Sequence, residues 1–371
     1  MVLAPGASKE IGLRVTETTG DKSRVLLVCD PTISSMGMAE PLVESMEKHG
    51  HYVTVFDDLQ SDPNEKSVND ATKIAHENQA DCVVGLGGGS ALDTSKVVAA
   101  LAHTGEECEP YRLGLSQLPF RTTALIAVPT TAGTGSETTG TSIISQPNGV
   151  KNWFWGPPLK PDMAVLDPEL TVGLPVFWTL YTGLDALVHS VESRTNRYRY
   201  EENDPLAEKG IIQAAMHLVE AVNNPTSIKA RTGMMLAAAY GGLAIGNTGC
   251  AVAHNIGHAL GSLAGIPHGR AVSVALAQTT EWAIDGNPDA FERVAELLGG
   301  EKSTDVPDKL HGMAEQCGAS LTLNAEEKAK LSEQALADDM MADANIAMLE
   351  ATARDALRSD VEHLANRIMS A

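Results

Sequence analysis

Disulfide chemistry has little support in this chain of 371 residues, which contains only five cysteines. Their number is odd and none stands in a C-x-x-C spacing, which argues against a disulfide framework and against a thiolate zinc site. We therefore expect reduced, mostly buried thiols. Low-complexity tracts are also lacking, and 43% hydrophobic with 20% charged residues is typical of a folded globular protein.

Positive charge is in deficit, because 27 Lys and Arg oppose 48 Asp and Glu and leave a formal net charge of −21. A surface of that sign repels phosphodiester backbones and anionic lipid, so we expect no nucleic-acid partner and no membrane partner. No window approaches the roughly 18 uninterrupted apolar residues of a membrane span, and no apolar run follows basic residues near the N-terminus. These observations predict a cytoplasmic protein.

Short β-branched runs alternate with helical patterns in the first half of the chain. The runs lie at 25–30, 52–56, 81–85, 123–128 and 163–167, and the helical patterns at 38–49, 64–79 and 91–103. This alternation predicts an α/β domain with a doubly wound, Rossmann-like parallel sheet whose helices cover both faces.

Strand signals fade after a proline-rich segment, residues 157–175, which predicts a domain boundary near Gly173. Residues 1–173 then form the α/β domain and residues 174–371 an all-helical domain, as expected for a chain too long for one ordinary core. About seven helices are predicted there, at 206–222, 228–245, 252–263, 288–298, 309–317, 325–337 and 349–369.

A glycine-rich loop, residues 85–96, follows one predicted strand and opens a helix. Glycines allow backbone N–H groups to approach a ligand, and a helix N-terminus adds donors and a positive dipole end, which suits a diphosphate. Neither standard fingerprint fits, because Ser90 stands where the third glycine of G-x-G-x-x-G belongs and Walker A lacks its G-K-[ST]. The alternative is a tight turn with Ser90 as N-cap.

A second donor-rich loop, residues 129–139, follows the next predicted strand and contains five threonines. Because ligands of open α/β sheets lie at the carboxyl ends of strands, the two loops favour a nucleotide between them. Asp30 ends the first predicted strand, where a carboxylate can accept hydrogen bonds from an adenosine ribose and would repel a 2′-phosphate. This favours NAD over NADP, although capping before Pro31 explains Asp30 equally well.

Two histidine-containing clusters lie in the helical half. Asp185 and His189 are four residues apart and share one helical face, as do His254 and His258, with His268 following soon after. Buried imidazoles need partners, and a metal ion satisfies several of them together. One carboxylate with up to four imidazoles matches a divalent transition-metal site, with one histidine left over for proton transfer.

With these motifs the chain resembles the iron-containing, or group III, alcohol dehydrogenases. The segments 87–96, 129–137, 167–170, 183–192 and 254–269 occur in that family's order and spacing. The resemblance implies a dinucleotide-binding N-terminal domain and a metal-binding helical domain of the dehydroquinate synthase-like fold. We also expect a homo-oligomer, specifically a dimer.

The resemblance assigns roles to individual positions. The divalent ion, with iron expected first and zinc or manganese as alternatives, is held by Asp185, His189, His254 and the loop residue His268, and His258 lies near nicotinamide and substrate. The implied dinucleotide is NAD, with NADP as the alternative. In this assignment Asp30 faces the adenosine ribose and Lys151 reaches a ribose hydroxyl. The residues by the diphosphate and nearby ribose are Gly87, Gly88, Gly89, Ser90 and Asp93, and those that line the cofactor from the other loop are Thr130, Thr131, Thr134 and Thr138.

The implied activity is hydride transfer between a small alcohol or aldehyde and nicotinamide, with the metal ion as Lewis acid. A glycerol-type dehydrogenase or a dehydroquinate synthase-like lyase on the same scaffold is the nearer alternative, and a non-catalytic metal or nucleotide sensor the remoter one. Two segments depart from the family pattern. Residues 153–155 are bulkier than usual, which would narrow the cofactor or substrate entrance, and residues 343–346 replace the frequent Asn-Pro-Arg.

Overall fold

The structure, a computed structural model, describes residues 1–59, 63–146 and 150–371. Contacts divide the chain into two units. The first comprises residues 1–131 and 136–173, and the second comprises residues 132–135 and 174–371. Strands occur in the first unit only, as far as the described residues show.

The strands of the first unit are β1 (Val2–Leu3), β2 (Arg24–Cys29), β3 (Tyr52–Phe56), β4 (Cys82–Gly87), β5 (Ala124–Pro129), β6 (Thr141–Ser145), β7 (Lys151–Trp155) and β8 (Met163–Leu166). Six of them form one sheet in the order β1-β8-β5-β4-β2-β3, and every pairing in it is parallel. The predicted parallel sheet is confirmed. The two-residue β1 and the antiparallel hairpin of β6 and β7 were not predicted.

Helices of the first unit are α1 (Ile11–Thr19), α2 (Pro31–Ser35), α3 (Glu40–Lys48), α4 (Glu65–Glu77) and α5 (Gly89–Leu101). The alternating side chains of the central strands feed two separate apolar cores. Leu27 packs in one core with residues of α1 and α3, and Leu26 packs in the other with residues of α4 and α5. Helices therefore cover both sheet faces, as the β-branched runs predicted.

Strand register brings the ends of three strands to one edge of the sheet. Cys29 pairs with Leu86 and Gly87 pairs with Pro129, so that β2, β4 and β5 end side by side. The Thr130 N–H then donates to the Gly87 carbonyl at 2.9 Å. Both donor-rich loops and Asp30 thus leave the sheet at its carboxyl edge.

The second unit contains eleven α-helices, where seven were predicted. They are α6 (Val176–Thr195), α7 (Asp204–Asn223), α8 (Ile228–Thr248), α9 (Val252–Ala264), α10 (His268–Ile284), α11 (Pro288–Leu297), α12 (Val306–Gln316), α13 (Ala325–Ala329), α14 (Glu333–Met340), α15 (Ile346–Ala351) and α16 (Arg358–Ser370). The predicted helix 325–337 is two helices, and so is 349–369. The helices α6 and α10 were missing from the prediction because both are buried over most of their length, which removes the amphipathic period.

Taken one at a time, the helices of the described residues are not long and apolar enough to cross a membrane. By length and composition only the pair α8 and α9 is, and these two helices are bent by 103° at their junction.

The N-terminal segment is held to the sheet by one buried carboxylate. Asp167, directly after β8, is fully buried and accepts hydrogen bonds from the Gly6 N–H at 2.9 Å and the Ser8 N–H at 3.0 Å. Its side chain also accepts from the Ser8 hydroxyl at 2.6 Å and the Glu169 N–H at 3.0 Å.

We predict that Asp167→Ala lowers the free energy of unfolding of the first unit by about 3 kcal/mol, because it leaves four donors without their acceptor, two of them on buried Ser8. Urea unfolding followed by circular dichroism measures the change. The exposed acid Asp21 is the matched control, and Asp21→Ala should change stability by less than about 0.5 kcal/mol. Equal losses in the two variants would contradict the anchoring role of Asp167.

Candidate active site

Three of the four predicted metal ligands converge on a carboxylate oxygen of the fourth, in the helical unit. The Oδ1 atom of Asp185 lies 3.8 Å from Nε2 of His189, 3.6 Å from Nε2 of His254 and 3.6 Å from Nε2 of His268. Asp185 and His189 come from successive turns of α6, His254 from the first turn of α9, and His268 from the start of α10. Ligand atoms of Asp185, His254 and His268 all lie within 4.8 Å of one another.

His268 is the first residue of α10, so the prediction that it lies in a loop was wrong. Pro267 occupies the N-cap position, and the Pro-His-Gly sequence indicated a turn rather than a helix start. Gly269 explains the close approach of α10 to α6, because a Cβ there would lie 2.2 Å from the Tyr181 carbonyl oxygen. That contact brings His268 to Asp185.

Several polar atoms of this cluster have no hydrogen-bond partner. Asp185 Oδ1, His254 Nε2 and His189 Nδ1 are all buried and unpaired. Buried donors and acceptors left without partners are costly, and groups of them suggest an absent ion. Carboxylate and imidazole donors suit a divalent transition metal, so the residues present fit the ion that the sequence implies.

His254 is oriented by Glu192, a residue to which the sequence assigned no role. The Glu192 carboxylate, on α6, accepts from the His254 Nδ1 position at 2.6 Å. It also accepts from the backbone N–H groups of Ala251 at 2.8 Å and Ala253 at 2.6 Å, at the N-terminus of α9. Glu192 therefore caps α9 and turns Nε2 of His254 toward Asp185.

The cluster shifts the pKa values of its own members. Burial would raise the pKa of Asp185, but His189, His268 and His254 outweigh it and hold that pKa well below its usual range. Burial would likewise lower the pKa of His189, but the Asp185 carboxylate outweighs it and raises that pKa. Opposite charges thus stabilise each other in this buried site.

His258 lies one turn beyond His254 on α9, beside the cluster rather than inside it. Its ring centroid is 5.5 Å from that of His268 and 6.5 Å from that of His254. It belongs to neither group of metal-binding side chains found among the described residues. Spacing alone could not separate the two histidines, because they share a helical face.

The C-terminal departure from the family pattern lies against α9. The Asn255 side-chain amide donates to the backbone carbonyls of Met340 at 2.8 Å and Asn345 at 3.0 Å. The Asn345 side chain in turn donates to the Asp339 carbonyl at 2.9 Å. This segment is thus tied to the helix that holds His254 and His258.

In the first unit, the glycine-rich loop contains a position that only glycine suits. Gly87 has φ 149°, and a Cβ there would lie 2.7 Å from the Ala91 Cβ. Helix α5 begins at Gly89 with Gly88 as its N-cap residue, so the reading of Ser90 as N-cap was wrong. Thr131 lies beside this loop, because a Cβ on Gly88 would be 3.4 Å from its methyl group.

Asp30 has two neighbours that bear on its predicted role. Its Oδ1 accepts from the Ile33 N–H at 3.0 Å and caps α2. Its Oδ2 faces the glycine loop, 3.3 Å from where a Cβ on Gly87 would stand. Capping thus uses one oxygen, and the other lies at the strand edge where a dinucleotide would bind.

Asp93 links α5 to the second loop and the hairpin. Its carboxylate accepts from the Ser136 hydroxyl and from the Ile143 N–H at 2.9 Å. The ammonium of buried Lys96 lies 3.7 Å away and donates to the Thr139 hydroxyl and the Thr141 carbonyl, each at 2.8 Å. The structure thus shows Asp93 shaping the loop, while its predicted position by the diphosphate stays a prediction.

The remaining predicted cofactor residues divide between the two units. Thr130, Thr138 and Lys151 belong to the first unit, with Lys151 opening β7, whereas Thr134 belongs to a short segment that clusters with the helical unit. In the bulky segment after Lys151, Phe154 is buried in the sheet core and Trp155 is exposed. Phe154 therefore serves packing in the first unit.

Comparison with known proteins gives the same class. Residues 1–168 match the iron-containing alcohol dehydrogenase family, and residues 179–369 match the C-terminal region of the Fe-containing alcohol dehydrogenase family. The chain belongs to this family. It is a metal-dependent oxidoreductase that transfers hydride between alcohols or aldehydes and NAD, as the motifs predicted.

Individual relatives agree over most of the chain. A choline dehydrogenase of Bacillus subtilis (strain 168) is 32% identical over 297 residues, which cover 78% of this chain and 74% of the relative. An NAD-dependent methanol dehydrogenase of Bacillus methanolicus is 31% identical over 299 residues, 80% of this chain and 78% of the relative. A crystal structure of a 1,3-propanediol oxidoreductase is 26% identical, covers 99% of this chain and 97% of its own, and superposes with a TM-score of 0.90.

Lys96 yields a prediction about pH. Burial lowers its pKa from 10.5 to about 8, and Asp93 and Glu137 offset only part of that effect. Between these values the unfolded lysine keeps a proton that the folded one has lost, so the free energy of unfolding rises with pH through the window. We expect wild type to gain about 2 kcal/mol relative to Lys96→Met from about pH 8 to about pH 10.

Urea unfolding of the first unit at both pH values measures this gain. Lys48, an exposed lysine, is the matched control, and Lys48→Met should follow wild type at each pH. A constant or shrinking difference between wild type and Lys96→Met would contradict a depressed pKa at Lys96.

Proposed function

We propose that Asp185, His189, His254 and His268 hold the catalytic divalent ion of an alcohol dehydrogenase that interconverts small primary alcohols and aldehydes. One observation carries the proposal. Three imidazole Nε2 atoms lie within 3.8 Å of a buried, unpaired carboxylate oxygen. Iron is the expected ion, with zinc or manganese as alternatives, because all accept these ligands.

A bound ion supplies a Lewis acid that polarises the carbon–oxygen bond of the substrate, and nicotinamide accepts or donates the hydride. The chain provides the rest. Asp185 contributes the negative charge that balances a cation, and Glu192 fixes the tautomer of His254 so that Nε2 stays unprotonated and available. His258, half-buried beside His268, takes the hydroxyl proton during oxidation and returns it during reduction.

The strand edge of the first unit is the proposed dinucleotide site, so that residues 1–173 act as the NAD domain and residues 174–371 as the metal domain. Backbone N–H groups from Gly88 to Ser90 at the start of α5 can donate to a diphosphate. Thr130, Thr131, Thr134, Thr138 and Lys151 supply further donors, and Asp93 holds their loop in shape. Asp30 Oδ2 is available to a ribose hydroxyl, which favours NAD over NADP.

Substrates of the relatives differ in size and charge, as choline and methanol illustrate. We therefore propose only the class, a small alcohol or aldehyde. A homodimer and a cytoplasmic location stay predictions that gel filtration and fractionation can check.

Removal of the metal tests this function. Treatment with a chelator should abolish NAD-linked oxidation of alcohols of graded length, and adding back Fe²⁺ or Mn²⁺ should restore it. The far-ultraviolet circular dichroism spectrum should not change, because each unit has its own core. Full turnover after metal removal verified by elemental analysis would contradict the proposed site.

His254 and His258 should separate into ligand and proton carrier. His258→Ala should keep near-stoichiometric metal and bind cofactor, yet lose roughly 100-fold or more in rate. His254→Ala should lose the metal, because the buried Nε2 that faces Asp185 is gone. Metal analysis of the two purified variants decides between the roles, and an empty site in His258→Ala would make that histidine a ligand.

Asp30→Asn should reduce the preference for NAD over NADP by roughly tenfold, the equivalent of about 1.4 kcal/mol. Asparagine keeps the cap on α2 but removes the charge that repels a 2′-phosphate. The ratio of kcat/KM for the two cofactors measures the shift. Asp57, exposed after β3, is the matched control. Equal ratios in wild type and Asp30→Asn would leave Asp30 with its capping role alone.

A further inference from the structure

Cys250 lies against the same histidines as the proposed catalytic ion. It stands between α8 and α9, and its Sγ lies with ligand nitrogens of His189 and His254 in a group whose members are all within 4.8 Å of one another. This group and the group of Asp185, His254 and His268 share His254. The other four cysteines belong to neither group.

The backbone on both sides of Cys250 is held in place. The Ala251 N–H donates to Glu192 Oε2 at 2.8 Å, and the Gly249 carbonyl accepts from the Asn196 side-chain amide at 3.2 Å. The thiol is therefore presented to the two imidazoles by the fold rather than by a free loop end. Cys250 is half-buried, whereas Cys29, Cys82 and Cys108 are buried.

The two imidazoles lack other partners on the relevant atoms. His189 is 4% exposed and His254 is 2% exposed, and His189 Nδ1 and His254 Nε2 have no hydrogen-bond partner. Because Glu192 occupies Nδ1 of His254, that histidine has one nitrogen left for a metal. The two groups therefore compete for His254 Nε2.

The donor sets differ in chemistry. Asp185, His254 and His268 offer an oxygen and two nitrogens, whereas His189, Cys250 and His254 offer a sulfur and two nitrogens. Thiolate and imidazole together select zinc and similar thiophilic ions. Since metal–sulfur and metal–nitrogen bonds are about 2.3 and 2.1 Å, shifts of about 1 Å would bring the three atoms onto one ion.

We propose that Cys250, His189 and His254 form a second, thiophilic cation site that overlaps the catalytic metal site through His254. The thiol proton is released to solvent as the metal–sulfur bond forms. An ion such as Cd²⁺ in this site takes His254 Nε2 from the catalytic ion, so the two occupancies exclude each other. This inference rests on the proposed metal site in the helical unit.

Cd²⁺ titration of the metal-free protein tests the thiophilic cation site. Wild type should develop the ultraviolet charge-transfer band of a Cd²⁺–thiolate bond, and Cys250→Ser should lack this band. The Cd²⁺ affinity of Cys250→Ser should also fall. Loss of a hydrogen bond to a metal ligand costs roughly 10- to 100-fold in affinity, and loss of the thiolate ligand itself should cost more. Cys317→Ser, the matched control at the other half-buried cysteine, should keep the band. Mn²⁺ binding by Cys250→Ser, followed by electron paramagnetic resonance, should match wild type.

Alkylation of wild type gives a measurement that needs no variant. Cd²⁺ should protect Cys250 from iodoacetamide, as read by mass spectrometry of its peptide, and Mn²⁺ should not. A wild type that binds Mn²⁺ but shows neither the thiolate band nor protection by Cd²⁺ overturns this inference and leaves the proposed function standing. A wild type that binds neither ion overturns both.

Discussion

The buried carboxylate of Glu192 is the constraint on which the cluster of proposed metal ligands depends. It accepts hydrogen bonds from the backbone at the start of α9 and from the ring of His254. A charge 3% exposed is stable there only because these donors replace its water. The same bonds set where α9 begins, which nitrogen of His254 faces Asp185, and where the chain places Cys250. One side chain thus organises both sets of donors.

The first unit also places charged side chains away from solvent, in this case the pair of Asp93 and Lys96. Lys96 is buried and Asp93 is half-buried on α5, and each bonds to the second loop or to the hairpin that follows it. Burial alone would neutralise both groups, so their mutual attraction and their hydrogen bonds are what make the arrangement stable. The donor-rich loop is therefore shaped from behind, while Gly87 keeps the neighbouring loop close to the sheet edge.

Cysteine shows which contacts local spacing leaves out. The absence of C-x-x-C pairs argues against a thiolate metal site, and that argument holds for a site built from one segment. Cys250 lies next to histidines from α6 and α9, a neighbourhood that exists only after the helices pack. The proposed thiophilic cation site needs a single sulfur, because helix packing supplies the imidazole nitrogens.

Periodicity along the chain was sufficient for the parallel sheet and for most helices, and four-residue spacing was sufficient for the shared faces of Asp185 with His189 and of His254 with His258. Motif order was sufficient for the family. Periodicity reports differences in exposure, so it failed for α6 and α10, which are buried over most of their length, and for His268, whose Pro-His-Gly setting resembles a turn. Tertiary packing decided which of His254 and His258 faces Asp185 and made Glu192 the residue that orients the cluster. Groups far apart in the chain meet only through contacts between helices, and no local pattern encodes those contacts.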